Sequence, residues 1–189
     1  RLREQIAPLS EELLDGAMSS VDARERWEKW IADVYGLDRV DGEVIRDTLA
    51  AGLRFGKNRA SAAGRPKRET ARAFAERVQA EIQPFLTRFE RQARVRVIFE
   101  KTAAPWIALR IDSHSTMHAP QPDAHVDWTA ITRRADALAA SQIVVLEPPS
   151  SVLVAVLAEG RYFTPSRARM LALQLVHEQS EILLGEESS

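Results

Sequence analysis

The feature that most constrains this chain is a change of hydrophobic period partway along it. Between residues 66 and 85, Phe74, Val78, Ile82 and Phe85 recur every three or four positions, the spacing of one helix face. Pro84 falls inside that stripe, so it either kinks the helix or begins a second one. At Arg94-Val95-Arg96-Val97-Ile98-Phe99 the period becomes two, as in a strand with one buried face. The pattern returns over residues 106–111 after a turn at 102–105, which predicts an antiparallel hairpin. Residues 113–125 read as a loop bearing proline and histidine, and Asp127 reads as the cap of a helix from Trp128 to about residue 140. Ile143-Val144-Val145-Leu146 reads as a third strand. Residues 151–158 are apolar and short, and helix and strand stay open for them. The expectation is an α+β fold: an N-terminal helical layer followed by a small, largely antiparallel sheet packed by helices.

The last helix is the most sharply delimited. Thr164 before Pro165 pairs a hydroxyl cap with a residue that has no amide to lose. Met170, Leu171, Leu173, Leu175, Val176, Ile182 and Leu183 then form an apolar stripe, which Gly185 ends. Near the start of the chain, Pro8 and Ser10 precede Glu11-Glu12-Leu13-Leu14, a capped helix start that Gly16 closes. Trp27, Trp30, Ile31 and Val34 form a second helical stripe, and Val44, Ile45, Leu49 and Leu53 a third. The tryptophans read as core. The expected organisation is an acidic helical segment at 1–55, a basic loop at 56–66 and an α+β domain at 67–189.

The formal net charge of -1 hides a segregation of charge. Acidic residues dominate the first 53 positions and cations dominate 54–101, a block able to attract a phosphate backbone or to neutralise the acidic helices of the same chain. Gly56-Lys57-Asn58-Arg59 lacks the glycine spacing and the hydroxyl residue of a phosphate-binding loop, so 56–66 is expected to be a mobile basic connector. Arg161, Arg167 and Arg169 surround the start of the last helix, whose dipole and free amides favour a phosphate or carboxylate. The plain alternative pairs these arginines with nearby glutamates and uses Tyr162 and Phe163 to staple the helix to the core. The candidate nucleic-acid-binding residues are Lys57, Arg59, Arg65, Lys67, Arg68, Arg161, Arg167 and Arg169.

There is no cysteine, which removes thiol catalysis and thiolate metal sites and fits a reducing cytoplasm. No apolar run approaches the roughly 20 residues that span a bilayer, and no signal peptide is visible, so no membrane partner is expected. The chain begins at Arg1 rather than Met, which suggests a piece of a longer polypeptide. Asp112, His114, His118, Asp123, His125 and Asp127 have the composition of a metal site but match no ligand spacing, so no metal is assigned. Glu147-Pro148-Pro149-Ser150 lacks the amide and aromatic ends of an adenine-methylating tetrapeptide, and Glu100-Lys101 lacks the spacing of a nuclease site. No catalytic set and no cofactor site emerge, and catalytic activity in this chain is not expected.

Residues 30–37 (WIADVYGL) running into 47–49 (DTL), and residues 154–169 (VAVLAEGRYFTPSRAR), resemble segments of proteins encoded beside or fused to adenine-N6 DNA methyltransferases of bacterial restriction-modification and phage-defence systems. The resemblance covers about a quarter of the chain and includes no catalytic signature. It implies a non-catalytic, DNA-contacting accessory part, with Arg161, Arg167 and Arg169 on phosphate and Thr164 positioning the helix. The expected partners are DNA and a protein subunit, for which a DNA methyltransferase is one candidate. The alternative is a protein interaction module without direct DNA contact. Salt-sensitive DNA binding separates the two.

Overall fold

The computed structural model describes residues 20–51, 59–99, 105–115, 125–147 and 149–185. Two compact units emerge, Arg1–Arg46 and Asp47–Ser189.

In the first unit, helix α1 (Ser20–Tyr35) ends at Gly36, whose φ of 63° is the left-handed geometry glycine adopts without strain. Helix α2 (Arg39–Ala51) begins in this unit and its last residues belong to the second. Its start is a reciprocal cap. Asp38 Oδ1 accepts from the Asp41 amide at 2.9 Å, and Asp41 Oδ2 accepts from the Asp38 amide at 3.0 Å. Trp27 and Trp30 meet edge to face with centroids 5.6 Å apart. They are half-buried rather than core, because the stripe they belong to is only partly covered. The helix expected near residues 11–16 lies outside the described residues.

The second unit has helices α3 (Arg59–Ala63) and α4 (Arg68–Thr87), strands β1 (Arg91–Phe99) and β2 (Trp106–Ser115), helix α5 (Trp128–Leu138), strands β3 (Gln142–Glu147) and β4 (Ser151–Leu157), a 3-10 turn at Gly160–Tyr162, and helices α6 (Pro165–Glu178) and α7 (Ser180–Leu184). The strands form one antiparallel sheet in the order β1-β2-β4-β3. The fold is therefore α+β, with the expected β1–β2 hairpin and with residues 151–157 resolved as a strand.

Strand alternation sorts the sheet residues into two faces. On one face, Val95, Val97, Ile107, Leu109, Ile111, Val152, Val154 and Val156 pack under α4 and α6, which contribute Phe74, Val78, Ile82, Leu86, Leu171 and Leu175. The second face carries Trp106, Ala108, Ile143, Leu153 and Ala155 against Val126, Ile131 and Ala135 at α5. Both faces of β4 are thus covered, which explains why the alternation that marks β1 is absent from 151–158.

Four local details go beyond the sequence expectation. Helix α4 runs past Pro84 to Thr87, so of the two alternatives the proline does not begin a second helix. Strand β2 extends to Ser115, so residues 113–115 are strand rather than loop. Residues 59–63, expected to be loop, form the short α3, where Ala62 is buried. The last helix divides at Gln179, whose φ and ψ of -127° and 23° leave the helical region, before Gly185 closes α7 in the left-handed region.

Candidate functional site

The start of α6 is built as the sequence suggests, with an additional partner. Thr164 Oγ1 accepts from the Arg167 amide at 3.4 Å, and the Thr164 carbonyl accepts from the Ala168 amide at 3.0 Å. Pro165 has no amide hydrogen, and the Ser166 amide donates to Asp47 Oδ2 at 2.7 Å. A helix N-terminus attracts anions because its first amides lack partners and carry the positive end of the dipole. Here an aspartate of the same chain, in the C-terminal half of α2, takes that place.

The basic residues divide by their surroundings. Arg161 Nε is in ionic contact with Glu159 Oε2 at 2.7 Å, without the alignment of a hydrogen bond, and its guanidinium lies 4.7 Å from the Tyr162 ring centroid. Arg169 Nε lies 3.9 Å from Glu81 Oε2, while the other oxygen of Glu81 pairs with Arg77 at 2.9 Å. Arg68 is exposed and stacks 5.2 Å from the centroid of Phe99. Arg65 and Lys67 are exposed. Arg167 is exposed and makes no ion pair among the described residues. Arg59 opens α3, while Lys57 lies outside the described residues. The Gly160 amide donates to the Gly64 carbonyl at 2.8 Å, which brings the stretch that ends at Lys67 and Arg68 beside the turn that carries Arg161.

The second face of the sheet holds a charged cluster that sequence reasoning missed. Pairing puts Arg94, Asp112, Ser151 and Glu147 in one cross-strand row and Arg96 beside Arg110 in the next. Arg96 Nη2 donates to Asp112 Oδ2 at 2.7 Å, Ser151 Oγ donates to Asp112 Oδ1 at 2.9 Å, and Arg110 Nη2 donates to Glu147 Oε1 at 2.9 Å. Arg110 and Asp112 are 2% and 4% exposed. Charges this deeply buried persist only when paired and hydrogen-bonded. The available signal was two charges two residues apart inside an otherwise apolar strand.

This network also places the other candidate chemistry. Asp112 is committed to Arg96 and Ser151, Glu147 to Arg110, and Asp127 caps α5 by accepting from the Ala130 amide at 2.9 Å. His125 is exposed, His114 is half-buried near the end of β2, and His118 and Asp123 lie outside the described residues. Among the described residues no group of three His, Asp or Glu side chains is arranged to hold a metal ion. Glu100, Lys101 and Pro148 also lie outside them. No described helix is long and apolar enough to cross a membrane.

Helices α1 and α2 show the reverse of the charged sheet face, with apolar groups in water. Ile31 and Val34 are each 40% exposed, Val44 and Ile45 each 44%, and Tyr35 is also exposed. Helix α2 buries none of its thirteen residues. Comparison with protein-family models, with curated proteins and with solved structures finds no match to this chain.

Proposed function

We propose that the chain is a non-catalytic protein interaction module whose N-terminal helices receive a partner helix. The observation that carries this reading is α2, thirteen residues long with none buried and with Val44 and Ile45 turned to solvent. Amphipathic helices are stabilised mainly by packing of the apolar face, so a helix without that cover is suited to receive it from elsewhere. Acidic residues outnumber basic ones over residues 20–51. The fitting partner is therefore an amphipathic helix with an apolar stripe flanked by cations.

A second reading keeps the phosphate-contacting accessory part of a DNA modification or phage-defence system. The hydrogen bond between Gly160 and Gly64 favours it, because it gathers Lys67, Arg68 and Arg161 into one region. Against it stand the glutamate partners of Arg161 and Arg169 and the aspartate at the start of α6.

One titration separates the readings. Fluorescence anisotropy is measured with a labelled Leu/Lys amphipathic helix and with a labelled DNA duplex, at about 50 and about 200 mM salt. The first reading expects the helix to bind and Ile31→Asp or Val44→Asp to abolish binding, with no duplex binding at the lower salt. Duplex binding that weakens about a thousandfold across that salt range, as about six phosphate contacts produce, establishes the second reading and overturns the first.

A further inference from the structure

A cleft of about 110 Å³ opens beside α6, with Arg167, Met170 and Gln174 on one wall and Gln142, Val156 and Tyr162 on the others. Arg167, Met170 and Gln174 follow one another at i, i+3 and i+7, so one helix face supplies that wall. Gln142 Nε2 donates to Gln174 Oε1 at 3.2 Å, and Gln174 Nε2 donates to Glu178 Oε2 at 3.0 Å. This chain of amides fixes the polar floor and places a carboxylate at the far end of the face. Arg167 is then the cation at the near end. Met170 and Leu173, on the same side of α6, are 57% and 59% exposed.

These features select the occupant. A cavity of about 150 Å³ accommodates a benzene ring, so this smaller space takes a short branched group rather than a nucleobase or an aromatic cofactor. The guanidinium of Arg167 offers paired donors that match a carboxylate. The polarity of the face, with Arg167 at one end and Glu178 at the other, orients an incoming acidic group toward Arg167. Methionine presents an adaptable apolar contact for the side chain that follows.

We propose that the α6 cleft is a carboxylate-anchored docking site for an acidic, apolar peptide segment of a partner protein, with Arg167 pairing the carboxylate and Met170 and Leu173 receiving a neighbouring apolar side chain. The carboxylate is that of an aspartate or glutamate side chain within the segment. The lining of this cleft includes no residue of α1 or α2 and calls for a partner segment of the opposite charge, so the proposal stands whether or not those helices bind.

The test is fluorescence anisotropy of the full chain with labelled Leu/Glu peptides, their Leu/Gln counterparts, and both forms with amidated C-termini. The Leu/Glu peptide is expected to bind, with affinity lowered about tenfold by Arg167→Ala, as for the loss of one charge-assisted contact, and lowered less by Arg167→Lys. Met170→Ser weakens binding as well, whereas Arg133→Ala, which removes an exposed cation of α5, leaves it unchanged. Retained binding after amidation supports the side-chain carboxylate, and loss of binding on amidation overturns it in favour of a C-terminal one. Equal affinity for the Glu and Gln peptides, indifference to Arg167→Ala, or no binding at all also overturns the proposal. Self-association in sedimentation that Met170→Ser abolishes also overturns it, because a second copy then occupies the face.

Discussion

Asp112 holds two separate parts of the sheet with its two oxygens: Arg96 on β1 and Ser151 on β4. Removing it leaves the Arg96 guanidinium, whose side chain is 22% exposed, without its carboxylate and leaves a buried hydroxyl without its acceptor. Asp112→Ala is therefore expected to destabilise the protein by about 3 kcal/mol. Ser151→Ala, which removes one neutral donor, is expected to cost about 1 kcal/mol. Urea denaturation followed by circular dichroism measures both. Equal losses for the two variants would remove the carboxylate from its central place.

At the scale of elements, α4 does more than cover one sheet face. Its Gln83 Oε1 accepts from the Ala93 amide at 2.9 Å, and its Nε2 donates to the Arg91 carbonyl at 3.2 Å, so one side-chain amide takes two groups that a neighbouring strand would take. Gln79 Oε1, one turn earlier, accepts from the Val95 amide at 3.0 Å. An unprotected edge invites pairing with other chains. The double variant Gln79→Ala, Gln83→Ala is expected to lose about 2 kcal/mol and to aggregate at lower protein concentration, as light scattering measures.

What the sequence showed at this scale depended on local signals. Thr164-Pro165, Asp127 and Gly185 mark helix ends because each acts through its own backbone neighbourhood, and all three are found in those roles. Strand β1 was legible because one of its faces is polar. The cluster of Arg110 with Glu147 and the arrival of Asp47 at Ser166 join residues 37 and 119 positions apart, and no local periodicity encodes such meetings. Arg169 likewise had its acidic neighbour Glu81 fixed by the fold, whereas Glu159 lies two residues from Arg161 and that local pairing was among the sequence alternatives.

Across the whole molecule, burial is uneven. Strands β2 and β4 are enclosed on both faces, whereas α2 buries nothing. Local opening follows burial, so the amides of Ile107–Ile111 and Val152–Val156 are expected to exchange with solvent slowest and those of α1 and α2 fastest. Hydrogen-exchange mass spectrometry reads the order directly. Slow exchange in α2 of the isolated chain would mean that its apolar side chains are already covered, and would count against the proposed role of that helix.

The carboxylate of Asp47 at the start of α6 also sets a condition on any free anion that approaches the same amide. A group tethered on the same chain competes as though it were present at an effective concentration on the order of millimolar or more. A dilute phosphate or nucleotide therefore meets a resident rival at the Ser166 amide, and the ionic attraction that remains available to it comes from side chains such as Arg167.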